Sequence, residues 1–220
     1  MTETHWLLSS DPEEMYFRVV KPLKSGRRRM DLFCLACVRP LLHLLEDADA
    51  KRPFEWLEEH AGERSRPASR GHVRELFQGP AIKLYQAHHR REPGVGGFAV
   101  HVAYDLWADW YEYAFPNFSE LHAHYPDALH ENPRTYLSVI MRDIFGNPFR
   151  PTYLDPAWLT PTVTRLAESI YEDGAFDRLP ILADALEDAG CTDATILNHC
   201  RGPGTHVLGC WVVDALLGKS

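Results

Sequence analysis

Between Leu154 and Gly218 almost every apolar run is framed by residues that start and stop helices, and none alternates with a two-residue period. Asp155-Pro156 and Thr160-Pro161 each set a capping side chain before a proline. Proline's fixed φ and missing N–H suit the first helical position. The second pair predicts a helix through Tyr171, with Val163, Leu166, Ala167 and Ile170 on one face and Gly174 at its end. Leu179 to Ala189 repeats the pattern, and Gly190 offers a left-handed cap. Asp193 caps a short helix to His199, and Val207 to Leu217 reads as a last apolar helix ending at Gly218. A segment punctuated this way must bury its faces helix against helix.

The upstream chain carries the same signals more loosely. Asp11-Pro12-Glu13-Glu14 predicts a helix to about Val20, stopping before Pro22. From Met30 to Leu45 apolar residues cover most of a helix's circumference, the pattern of a buried helix, and Pro40 should kink or divide it. Asp49 caps a helix ending near Gly62, and residues 63–71 make a polar linker with Pro67 and Gly71. Another helix runs from about His72 to His89. Phe98 to Phe115, the most aromatic stretch, also reads as helix, as does Pro133 to Phe145 before Gly146-Asn147-Pro148. The expected fold is all-α, an irregular multi-helix bundle with little or no sheet. Residues 1–220 are expected to form a single helical domain, with subregions 1–62, 72–130 and 133–220.

A net charge of −8 argues against a general nucleic-acid binder, which needs cations to displace counterions. Residues 1–91 carry +3, residues 92–150 carry −5 and residues 151–220 carry −6, so an anionic partner would meet the first third. Met1 to Val20 has no continuous apolar run and does not read as a signal peptide. No stretch approaches the ~20 apolar residues of a membrane span. Five cysteines, an odd number, point to reduced thiols and a cytoplasmic location.

Several long motifs stand out: Arg142-Asp143-Ile144-Phe145-Gly146-Asn147-Pro148-Phe149-Arg150-Pro151, Leu154-Asp155-Pro156-Ala157-Trp158-Leu159, and Leu179 to Cys191. They are joined by His199-Cys200-Arg201-Gly202-Pro203-Gly204 and Cys210-Trp211-Val212-Val213-Asp214. In these the chain resembles a family of uncharacterised bacterial proteins that occurs as many paralogues. Thr2 to Pro12 and Leu32 to Leu45 are also similar to it. Roughly half of the chain is covered; the middle, from about Arg64 to His130, is aromatic and His-bearing where the family is alanine-rich. The resemblance implies common descent and brings no activity with it.

Three constellations could carry chemistry. Cys200, His206 and Cys210 fall within one short stretch, with His199 adjacent, and Cys34-Leu35-Ala36-Cys37 lies far upstream. Zinc takes four thiolate or imidazole ligands, so Cys34, Cys37, Cys200, His206 and Cys210 form a candidate set. The simpler reading of Cys34 and Cys37 is small core residues on an apolar helix. Second, His101, Asp105 and Asp109 recur every four residues and would share a helix face, an alternative metal set or merely a polar face. Third, Arg201-Gly202-Pro203-Gly204-Thr205-His206 lacks the lysine of a phosphate cradle and reads as a turn between helices. Asp143 and Asp214 are expected as buried partners of Arg142, Arg150 or Arg201.

No nucleophile elbow or Ser/His/Asp arrangement is visible. The sequence therefore leans away from an enzyme, toward a non-catalytic cytoplasmic protein-interaction or regulatory module. Its partners would be proteins, not nucleic acid or membrane. The alternatives are a metal-dependent enzyme using the His101/Asp105/Asp109 face and a structural zinc protein.

Overall fold

The structure, a computed structural model, describes residues 1–20, 27–44, 48–59 and 133–219. Every regular element among the described residues is helical and none is a strand. In chain order they are α1 (Glu3–Leu8), α2 (Pro12–Met15, continued by a π-helical turn over Tyr16–Val20), α3 (Arg27–Val38) and α4 (Ala48–Glu59). Then come α5 (Pro133–Phe145), α6 (Pro161–Asp173), α7 (Leu179–Asp188), α8 (Ala194–Arg201) and α9 (Trp211–Leu216). The chain divides into two compact units, Met1–Lys24 with Ser138–Ser220, and Ser25–Leu137. Among the described residues no helix is long and apolar enough to cross a membrane.

In the Ser25–Leu137 unit, α3 is buried around its whole circumference from Asp31 to Cys37, six apolar residues together with the Asp31 carboxylate. It ends at Val38 and the chain continues as a 3-10 helix over Arg39–Leu44. Pro40 accounts for the change, because it lacks the N–H that an α-helical bond would need and restricts the residue before it. Phe54 of α4 is fully buried, and α4 packs against α3.

The other unit is built on α6 to α9. Thr160 Oγ1 accepts from Val163 N at 3.4 Å, Pro161 opens α6, and Gly174 closes it in the left-handed region at φ 62°. Val163, Ala167 and Ile170 then fall on one face and are fully buried with Leu179, Leu182 and Leu186 of α7. Ile196 of α8 and Val212 and Val213 of α9 complete that core. At ~25 cal/mol per Å² of apolar surface, each of these larger side chains contributes on the order of 1.5–3 kcal/mol when buried.

The N-terminal segment belongs to this same unit. Helix α1 has only six residues, too few to hold itself together in water. It is held by tertiary bonds: Trp6 Nε1 donates to Gly146 O at 3.1 Å, and Arg142 Nη1 donates to Trp6 O at 3.0 Å and Ser9 O at 2.9 Å. Trp6 itself is fully buried. The Asp11 cap expected from sequence is present, with Oδ1 accepting from Glu13 N and Glu14 N at 3.1 Å.

Gly146 ends α5 at φ 66°, and a Cβ there would stand 3.3 Å from Cγ of Trp211. Gly174 has a similar φ and open space around it. Gly146→Ala is therefore expected to destabilise the protein by about 2–3 kcal/mol, and Gly174→Ala by only the left-handed cost of about 1–2 kcal/mol. Urea melts of the two variants check the ranking. Equal losses would mean that the indole imposes no constraint.

Candidate metal centre

Four polar side chains meet where α5, α8 and the start of α9 converge. Asp143 lies in the last turn of α5 and is 2% exposed. His199 stands in the last turn of α8, His206 in the loop that follows, and Cys210 at the residue before α9, fully buried. One ligand atom from each lies within 4.8 Å of all the others, and the group can hold a metal ion.

The loop is shaped by Asp143. Its Oδ2 accepts from Val207 N at 2.9 Å, and its Oδ1 sits 2.6 Å from His206 Nδ1. Cys210 N then donates to Val207 O at 2.9 Å, closing a turn. Residues 207–210 are spent on that turn, so the final helix begins at Trp211 and not at Val207 as the apolar run predicts. His199 is held between two rings, His206 at 4.9 Å and Trp211 at 5.1 Å between centroids.

The contacts around His199 decide what this arrangement can do. Its Nε2 lies 3.1 Å from Asp143 Oδ1 and 3.3 Å from Cys210 Sγ. A proton relay needs the thiol on one ring nitrogen and the carboxylate on the other. Here both crowd the same nitrogen, which carries one proton or one lone pair. That geometry converges on a point between the groups, as a metal's ligands do. Tetrahedral zinc separates its N, O and S ligands by about 3.3–3.8 Å; the two distances at His199 approach this, whereas His206 Nδ1 and Asp143 Oδ1 stand at hydrogen-bond distance, 2.6 Å.

The electrostatics agree. Burial works to raise the Asp143 carboxyl, but hydrogen bonds from His199 and His206 and their charge outweigh it, and it ends below its usual range. Burial pushes the Cys210 thiol well above its ordinary value, with Asp143 adding to the effect and the Val212 and Val213 amides opposing it. A thiol this buried and this weakly acidic is no free nucleophile. A cation at the convergence point would reverse the balance by displacing its proton. His206 Nε2, buried and without a hydrogen-bond partner, is the one member atom whose requirement is unmet.

Of the residues singled out from sequence, His206 and Cys210 belong to this group. Cys200 does not, although Asp143's charge, after burial, helps push its thiol up to about 12. Neighbouring positions on a helix point in different directions, so His199 faces the site while Cys200 enters the core with Cys191. Cys34 and Cys37 are buried cysteines of α3, outside any disulfide, in the Ser25–Leu137 unit. His101, Asp105 and Asp109 lie outside the described residues.

Sequence reasoning missed Asp143 and His199 as ligands. Asp143 makes none of the arginine pairs expected of it and serves the two histidines instead. The spacing of His199, His206 and Cys210 was a usable local signal. Asp143, 63 residues from His206, gave none. No protein-family model, curated protein or solved structure matches the chain.

Proposed function

We propose that the unit formed by Met1–Lys24 and Ser138–Ser220 is a zinc-stabilised helical module, and that the chain acts in the cytoplasm as a non-catalytic protein-interaction or regulatory protein. The observation that carries this reading is the convergence of Asp143, His199, His206 and Cys210 within 4.8 Å in a buried setting. A thiolate, two imidazoles and a carboxylate suit zinc; calcium and magnesium want oxygen alone. Four protein ligands fill a tetrahedral shell, and catalytic zinc keeps a position open. A closed site therefore supports a structural role, joining α5, α8, the loop and α9. Five cysteines outside any disulfide fit a reducing compartment.

Elemental analysis of untagged protein purified without chelator tests the proposal. One zinc per chain is expected, retained in Cys200→Ser and in the Cys34→Ser, Cys37→Ser double variant. Zinc below about a tenth of an equivalent, after growth in zinc-supplemented medium, would overturn it, since structural sites bind far below micromolar concentrations.

A further inference from the structure

A cavity of about 380 Å³ opens beside α1, within the unit that carries the metal centre, lined in part by Trp6, Leu7, Arg142, Thr195, Asn198 and Trp211. That volume suits one ring-sized ligand, and two indoles with a leucine give it apolar walls. Among the described residues that line it, Arg142 and His199 are the basic ones, and the Arg142 guanidinium is unusual. Nη1 is spent on the Trp6 and Ser9 carbonyls and approaches Met15 Sδ at 3.8 Å. Among the described residues no carboxylate pairs with it, and Nε and Nη2 make no hydrogen bond. Glu3, which accepts from the lining residue Asn147 at 2.8 Å, is itself paired with Arg150 at 2.7 Å.

A half-buried guanidinium normally meets a carboxylate, because its desolvation is otherwise uncompensated. Two free donors in a planar fork match a carboxylate's two oxygens. We propose that this cavity binds a small organic acid with a flat apolar body, its carboxylate on Arg142 and its body against Trp211 and Leu7. Thr195 and Asn198 add uncharged polar groups at the rim. His199, a proposed zinc ligand, also lines the cavity, but Arg142, which would anchor the carboxylate, is not one, so zinc content and acid binding can be read separately. Failure of the acid to bind would leave zinc content unchanged.

Phenylacetate and its uncharged amide, phenylacetamide, are the probes, titrated into the full chain while the tryptophan indole N–H signals are followed by NMR. The acid is expected to shift the Trp211 signal and to bind at least about tenfold more tightly than the amide, the difference a charge-assisted pair makes. Arg142 also holds α1, so its own substitution confounds folding with binding. Thr195→Glu is the cleaner variant: the position is exposed near the start of α8, where an acid is tolerated, and a second carboxylate there repels the first. It should weaken phenylacetate at least about tenfold with an unchanged melt. Equal binding of acid and amide, no indole shift at about 10 mM acid, or full binding by Thr195→Glu would each overturn the proposal.

Discussion

Cys210→Ala is expected to lose its zinc and to melt about 8–16 °C below the unchanged protein. The size follows from linkage: a ligand present at about a thousand times its dissociation constant stabilises the folded state by about 4 kcal/mol. For a chain of this length each kcal/mol moves the melting temperature by about 2–4 °C. The side chain removed is small and fully buried, so a cavity alone accounts for only about 1 kcal/mol. Cys200→Ala supplies that comparison, since Cys200 is equally enclosed but stands outside the group. It should keep its zinc and lose only the cavity cost. A chelator should bring the unchanged protein down toward Cys210→Ala and leave the variant itself unmoved. A chelator-insensitive melt in both proteins, with both cysteine variants equally destabilised, would reduce the four side chains to a hydrogen-bonded cluster.

What could be read from the sequence was whatever is decided within a few residues. Thr160-Pro161 and Gly174 fix both ends of α6 by cap, proline and left-handed turn, and the helix lies between them as expected. Pro40 divides its helix for the same local reason. Helix α1 was illegible because nothing within Glu3–Leu8 makes six residues helical; docking does, through Trp6 and Arg142. The start of α9 was misplaced because Val207 looks like the first residue of an apolar helix. Only the Asp143 carboxylate, brought in from α5, diverts its amide.

The site divides along the same line. His206 and Cys210 drew notice as thiol and imidazole on one short loop, whereas Asp143 sits among Arg142 and Arg150 in sequence and resembles an arginine's partner. Its true role depends on which way α5 faces when the C-terminal helices close over it. Sequence proximity alone does not separate Cys200 from His199, because it hides the rotation of about 100° between adjacent helical residues. Ligand types were legible; the choice between neighbours was not.

Trp6→Ala should cost about 3–5 kcal/mol, the range for truncating a buried aromatic ring. Trp6 is fully enclosed and is the one wholly buried residue of α1. Its Nε1 bond to Gly146 O and the return bond from Arg142 to its carbonyl tie α1 to the end of α5. A six-residue helix has no stability of its own, so removing the indole should release the whole segment. Amide exchange at residues 3–8 is then expected to approach unprotected rates while α6 and α7 stay protected. Trp6→Phe keeps most of the volume but leaves Gly146 O without its donor, and should cost about 1–3 kcal/mol. Zinc should remain at one equivalent in both variants, because none of the four ligands is touched. Urea denaturation and exchange mass spectrometry together decide the matter. If exchange at residues 3–8 were unchanged in Trp6→Ala, the segment would be held by Arg142 alone, and the indole would contribute only buried area.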